Sequence, residues 1–184
     1  LWNAGTRPSQ AAALAGRDAL EKGGIDPQDI ECLFFTSVSR DMMEPATASF
    51  VHNALGLSPG CLLFDISNAC LGFLDGIVML ANMIELGQVR NGLVVSGETA
   101  EDLIESTIEN LLHDEGLTRK SMKSAFASLT IGSGSIGLYM CRDEDCSEKR
   151  PLLRHCTWRA NTVHSDLCLG GTNGLNATLM ATNS

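Results

Sequence analysis

Cys70 stands where an apolar, strand-like run, Cys61-Leu62-Leu63-Phe64-Asp65-Ile66, gives way to a long apolar segment that begins Leu71-Gly72-Phe73. A thiol at a strand-to-helix junction is placed for nucleophilic chemistry. Unpaired amide N–H groups and the positive end of the helix dipole favour thiolate over thiol at such a junction, and the thiolate is the form that attacks. A free cysteine among apolar residues is more commonly an inert core thiol, so the case for chemistry rests on the junction. Glu44 is the second candidate, in Asp41-Met42-Met43-Glu44-Pro45, after one buried strand and before a helix. A loop carboxylate is ordinarily a solvated surface group. Beside apolar side chains such as Met42 and Met43 it is also fitted to be a general base, because loss of water raises a carboxylate's proton affinity. From these residues alone both readings of Glu44 stand.

The other chemistry-bearing residues have simpler explanations. Gly132-Ser133-Gly134-Ser135-Ile136-Gly137 spells the dinucleotide fingerprint GxGxxG, which works only where a helix opens at the third glycine and offers its N–H groups to a pyrophosphate. Here Ile136–Met140 runs straight into Arg142-Asp143-Glu144-Asp145, so a tight hairpin is expected instead, with the glycines serving positive φ or close backbone contact. Arg40 and Asp41 read as a salt-bridged loop support. Glu98, after Ser96-Gly97 at the end of a strand, either organises a site or caps the next turn. His52, His113, His155 and His164 lack metal-ligand spacing and read as structural or surface histidines, so no metal site is expected. The seven cysteines form no CxxC pair and read as free thiols.

These residues need elements to hold them. Ser9–Lys22 has helical composition and stops at Gly23-Gly24; Ile30–Val38 reads as a buried strand; the next helix is expected over Thr47–Leu55. Strand 61–66, a helix over Cys70–Leu86 buried on nearly every face, strand 92–96 and a charged helix near 101–113 follow. Buried strands alternating with helices predict a mainly parallel sheet covered on both faces. Ala125–Ile131 and Ser135–Cys141 are expected to pair as a hairpin, Arg142–Arg150 to be a solvated connection, and Leu152–Arg159 to add one more strand. The Gly-, Asn- and Thr-rich stretch from Gly170 to Ser184 reads as a linker cut short, and the start at Leu1 reads as equally abrupt.

At 184 residues, 44% of them hydrophobic, the chain is long enough to bury a core. A formal net charge of -9 without a Lys/Arg cluster argues against nucleic acid or an anionic membrane as partner. No apolar stretch has the length of a membrane span and no secretory pattern opens the chain, so a cytoplasmic location is expected.

The run FDISNACLGF around Cys70 resembles the nucleophile segment of the thiolase superfamily, especially β-ketoacyl synthase III-like condensing enzymes: Asp, several small residues, Ala-Cys, one residue, Gly-Phe. Asp65, Ala69, Cys70, Gly72 and Phe73 fit that pattern. Segments 36–49, 93–100 and 129–140 fall in the same order and at similar spacing as their family counterparts, and the similarity spans most of residues 9–141. It is closest to the OleA-type acyl-CoA condensing enzymes of bacterial long-chain olefin biosynthesis, which share the glutamate before the proline at Glu44. The resemblance implies an α/β, thiolase-like fold of which this chain is the N-terminal half. Residues 1–160 would form that half, with a buried nucleophile helix, and 161–184 a linker towards a missing C-terminal half that supplies a catalytic His and Asn.

It further implies an acyltransferase of fatty acid metabolism, working as a homodimer without a cofactor, with acyl-CoA as substrate. Cys70 would be the nucleophile of a Claisen condensation, its N–H a contributor to an oxyanion hole, and Glu44 the base acting across the dimer. Ser133 occupies a position where the family usually has Asp. The alternatives are a decarboxylative synthase III using malonyl-acyl carrier protein and a non-catalytic acyl-binding or dimerisation subunit. Arg7 and Arg17 enter as CoA-binding candidates only because they are basic.

Overall fold

A computed structural model describes residues 2–146, 150–172 and 178–182. The elements are α1 (Pro8–Gly23), β1 (Cys32–Thr36), α2 (Thr47–Leu55), β2 (Leu62–Ile66), α3 (Gly72–Glu85), β3 (Asn91–Glu98), α4 (Glu101–His113), α5 (Arg119–Ser124), α6 (Phe126–Thr130), β4 (Gly134–Cys141), β5 (Cys168–Thr172) and β6 (Thr178–Thr182). They divide into two compact units, one of residues 1–99 and 134–156, the other of residues 100–133 and 157–184.

The first unit is a four-stranded sheet in the order β2-β1-β3-β4, with β1 parallel to β2 and β3, and β4 antiparallel to β3. Successive side chains of a strand point to opposite faces, and β1 shows the consequence. Leu33 and Phe35 join one core with Leu93, Val95 and residues of α1 and α2, while Cys32 and Phe34 join a second with Val94, Leu80 and Ile84. All five residues of β1 are buried, which is why it reads as a continuous apolar run.

The α1–sheet contact is built from small residues. The buried face of α1 is Pro8, Ser9, Ala11, Ala12, Ala13, Gly16 and Leu20, small enough for backbone to approach backbone. A Cβ at Gly97 would fall 2.2 Å from the Pro8 carbonyl oxygen, and one at Gly137 2.5 Å from that of Ala15. The helix starts at Pro8 and ends at Gly24, whose φ of 63° is left-handed and whose N–H donates back to Leu20 and Glu21.

Several expectations need correction. Residues 126–130 are helical, and β4 finds its partner in β3 rather than in a hairpin; a five-residue apolar run fits either period, and the Thr130 hydroxyl donates to the carbonyls of Phe126 and Ala127. GSGSIG leads into β4, so no helix opens there, and Gly137 serves close backbone contact. Residues 152–159 form no strand: Leu152, Leu153 and Trp158 are exposed and no neighbour offers them a ladder.

In the second unit, β5 and β6 pair antiparallel where a linker was expected from residue 161. Gly170 and Gly171 lie within β5 itself, and residues 173–177, between the two strands, fall outside the described ones. Of the connection at 142–150, Asp143–Asp145 is a 3-10 turn and 147–149 also fall outside the described residues.

Finally, α3 is buried within this chain on one stripe only, Gly72, Gly76, Leu80 and Ile84. Leu71, Leu74 and Met79 are exposed. The sheet covers one side of a mainly apolar helix, and among the described residues the other side is left largely exposed.

Candidate active site

Cys70 lies in a 3-10 turn, Ala69–Leu71, between the end of β2 and the first residue of α3. The chain turns sharply there because Ala69 adopts φ 44°. That is the left-handed region, which a Cβ disfavours by roughly 1–2 kcal/mol. The turn is braced on both sides. The Asn68 side chain donates to Asp75 Oδ2 at 2.5 Å, and the Leu71 N–H donates to the Asn68 carbonyl at 2.9 Å. A Cβ at Gly72 would lie 3.4 Å from the Ile66 oxygen, an ordinary contact, so the turn places α3 close to the end of β2 without a clash.

The outcome is an exposed thiol. Cys32 and Cys61 differ: both are buried, and burial pushes their thiols up to about 12 and about 11 respectively. Desolvation penalises the thiolate, so these two are inert at neutral pH. The turn's own bonds are made by the N–H groups of Leu71 and Gly72. The Cys70 N–H, at the start of the turn, therefore has no acceptor within it.

Glu44 sits in the loop between β1 and α2, where Met42, Met43, Glu44 and Pro45 are all exposed and the Glu44–Pro45 peptide is cis. Met43 is 92% exposed, so the methionines do not enclose the carboxylate within this chain. Three other carboxylates hold the loop. Glu98 accepts from the Val38 N–H at 2.8 Å, the Ser39 N–H at 3.2 Å and the Ser39 hydroxyl at 2.8 Å. Asp41 accepts from the Ser9 N–H at 2.9 Å and the Ser9 hydroxyl at 2.6 Å. Asp65 accepts from the N–H groups of Thr47 and Ala48, each at 2.8 Å.

Asp41 is thus a loop support, but its partner is Ser9 at the start of α1 rather than Arg40. Glu98 organises the loop before it rather than capping the turn after it. The N–H that needs a cap there, that of Ala100, donates to the Ser133 hydroxyl at 3.0 Å.

The family model for 3-oxoacyl-[acyl-carrier-protein] synthase III matches residues 64–112, the segment from the end of β2 through α4. An acyl-CoA:acyl-CoA alkyltransferase from Xanthomonas campestris is 38% identical over 170 residues, 92% of this chain and 50% of that protein. One from Shewanella oneidensis is 42% identical over 139 residues, 76% of this chain and 39% of that protein. A β-ketoacyl-[acyl-carrier-protein] synthase III from Neisseria meningitidis is 32% identical over 99 residues, 54% of this chain and 31% of that protein.

Among solved structures, a glutamate-to-alanine variant of Xanthomonas campestris OleA matches with a TM-score of 0.91 at 37% identity, over 100% of this chain and 52% of that one. The chain belongs to the thiolase superfamily of condensing enzymes. It spans about half the length of the relatives it matches. A cysteine-to-serine variant of the same OleA, solved with lauric acid and lauroyl-CoA bound, matches with a TM-score of 0.88 at 35% identity, over 100% of this chain and 51% of that one. The glutamate and cysteine that these two variants replace lie 26 positions apart, as Glu44 and Cys70 do in this thiolase-superfamily chain.

Three other residues singled out in the sequence bond to nearby backbone. His52 Nε2 bonds the Ser58 carbonyl, and His113 Nδ1 the Glu109 carbonyl. Arg17 donates to the Ala54 carbonyl at 2.9 Å, tying α1 to α2. Among the described residues no group of three or more His, Cys, Asp or Glu could hold a metal ion, and no helix is long and apolar enough to cross a membrane. Asp65 carries no mark in the sequence beyond its place in the family pattern, because its role as a helix cap depends on contacts 17 and 18 positions away.

Proposed function

We propose that this chain is the nucleophile-bearing half of a condensing enzyme that joins two fatty acyl-CoA molecules through an acyl-Cys70 intermediate. The observation that carries the reading is the placement of Cys70: it is exposed on a strained turn between a strand and a helix, whereas Cys32 and Cys61 are buried and inert and the exposed Cys156 lies outside any strand or helix.

In the first step the Cys70 thiolate attacks the thioester carbonyl, a C–S bond forms to the enzyme, and CoA leaves as its thiolate. The Cys70 N–H, which has no acceptor within the turn, suits the oxyanion that develops. In the second step Glu44 removes a proton from the α-carbon of another acyl-CoA. The carbanion attacks the acyl-Cys carbonyl, a C–C bond forms, the C–S bond breaks, and a β-ketoacyl-CoA leaves with Cys70 again a thiolate. The equal 26-residue spacing in OleA supports pairing Glu44 with Cys70 in this role. No step calls for a cofactor.

In this reading the enzyme is a homodimer in which Glu44 serves the partner's thioester. Exposed Val38, Met42, Met43, Leu71 and Leu74 support it, being apolar surface of the kind that a second subunit or further chain covers. The catalytic His and Asn come from the half of the fold beyond this chain. A cytoplasmic setting goes with the reading, because free Cys32, Cys61 and Cys70 are the form that a reducing compartment maintains.

The synthase III relatives and the matched family model favour a second reading, decarboxylative condensation with malonyl-acyl carrier protein. Incubating the full-length protein with unsubstituted acyl-CoA as the sole substrate separates the two. A β-ketoacyl-CoA product supports the first reading, and product that forms only when malonyl-acyl carrier protein is added refutes it. Glu44→Ala is expected to retain acylation of Cys70 and to lose condensation.

A further inference from the structure

We infer that Asp65 is a positioning residue for condensation, because its carboxylate ties the root of the Glu44 loop to β2, the strand that leads into the Cys70 turn. The inference rests on the reading of Glu44 as the base. Its ground is an unusual cap. α2 opens at Thr47 with Ala46 as its N-cap residue and no acid in its first turn. Alanine has no acceptor to offer, so the leading N–H groups of this helix would be orphans. Both are backbone groups of fully buried residues, Thr47 and Ala48, where an unmet N–H is costly.

Asp65 meets both, one through each carboxylate oxygen, at 2.8 Å. These are charge-assisted bonds at the positive end of a helix dipole. A Ser or Asp at position 46 would cap the helix locally. The chain instead places the acceptor on β2, five residues before Cys70.

The consequence falls on Glu44, three residues before Thr47. The other side of its span is pinned by Asp41, which holds Ser9 and whose N–H donates to Thr47 Oγ1 at 3.4 Å. Farther back, Glu98 holds Val38 and Ser39. Only residues 42–46 are left to carry Glu44; Asp41 sets where that short span begins, and β2, through Asp65, where it ends. In a two-fold dimer each Glu44 is then delivered from a frame rigidly joined to its own Cys70 strand, so one bond pair fixes the base relative to both sites. Displacement of a reacting group by about 1 Å can cost 100-fold in rate.

The test uses the full-length protein and separates the two half-reactions. Asp65→Asn keeps the shape of the side chain but leaves one acceptor oxygen. Acylation of Cys70 by acyl-CoA, followed by intact mass, is expected to stay within about twofold, while condensation falls by at least about tenfold. The double variant Asp65→Asn with Ala46→Ser restores a local cap without the tie to β2. It is expected to recover thermal stability and not condensation, and it covers the case in which the single variant folds poorly. Recovery of condensation by the double variant, or an equal fall in both half-reactions, would show that Asp65 is a helix cap only. Glu44→Ala is run alongside. If it leaves condensation intact, the assignment of the base has failed; if it abolishes condensation while Asp65→Asn does not slow it, only the positioning inference has failed.

Discussion

Gly97→Ala puts a single methyl group where α1 crosses the sheet. A Cβ at this position falls 2.2 Å from the Pro8 oxygen, 2.7 Å from the Ala12 nitrogen and 3.1 Å from the Ala12 Cβ. Carbon–oxygen contacts ordinarily begin near about 3.3 Å, so α1 and β3 must separate by about 1 Å. The two nearest atoms are backbone, and no rotamer change relieves them. Overpacking a well-filled core commonly costs about 1–3 kcal/mol, and a clash against backbone belongs at or above the top of that range.

A loss of about 3 kcal/mol is a large part of the roughly 5–15 kcal/mol that holds a domain together. With a urea dependence of about 1–3 kcal/mol per molar, the unfolding midpoint should fall by at least about 1 M. Fluorescence follows it well, because the half-buried Trp2 donates its indole N–H to the Glu98 carbonyl at 3.2 Å, next to the substituted residue, whereas Trp158 is 81% exposed. Gly134→Ala, with nothing within 4 Å of the added Cβ, is the matched control and should stay within about 0.5 kcal/mol of the parent. A Gly97→Ala midpoint no lower than that of Gly134→Ala would refute the close approach of α1 to β3.

Thiol-specific alkylation of the native chain should modify Cys70 within minutes and leave Cys32 and Cys61 untouched until denaturant is added; labelling of Cys61 at the rate of Cys70, read by peptide mapping, would contradict their assigned burial. Those two thiols also give stability a pH dependence. Their folded values of about 12 and about 11 lie above the roughly 8.5 of an unfolded cysteine, so the folded state holds more protons across that interval. Their contribution is complete below about pH 8.5 and drains away as pH rises through 11 and 12, which predicts a urea midpoint that falls steadily above pH 9. A midpoint that stays level from pH 8 to 10.5 would be the contrary result. Gly76→Val, whose added side chain would begin 2.9 Å from Val94 Cγ1 and 3.0 Å from Thr36 Cγ2, should lift α3 off the sheet and lower both stability and the rate of Cys70 acylation.

Elements whose signal is local were legible in the sequence, and those whose partners are distant were not. α2 and α4 have the predicted bounds, 47–55 and 101–113, because apolar spacing and flanking breakers mark them. β1 and β3 stood out because strands buried on both faces are almost wholly apolar. The partner of β4 did not stand out, since β3 lies some forty residues away and nothing in 134–141 names it. Residues 126–130 are too few to show a period, and β5 carries Gly170 and Gly171 within it, residues that ordinarily mark turns rather than strands.

At the site, the exposure of Cys70 follows from its junction, but the left-handed Ala69 that creates the turn carries no sequence mark of the kind a glycine would. Glu44 was found through family resemblance, since a solvated loop carboxylate looks the same on physical grounds. Asp65 and Glu98 act through hydrogen bonds to N–H groups 17 to 60 positions away, and such contacts are decided by tertiary structure alone. The buried face expected for all of α3 was inferred from its composition, which is apolar on the side that this chain leaves exposed as well as on the side it covers.

The central claim is that Cys70 is the nucleophile. The most direct measurement is the intact mass of the polypeptide before and after incubation with a long-chain acyl-CoA, followed by peptide mapping, with Cys70→Ser in parallel. The account predicts a mass increase of one acyl group, mapped to Cys70 and absent from the variant. An acyl group found on another cysteine, or an equal increase in Cys70→Ser, would contradict it.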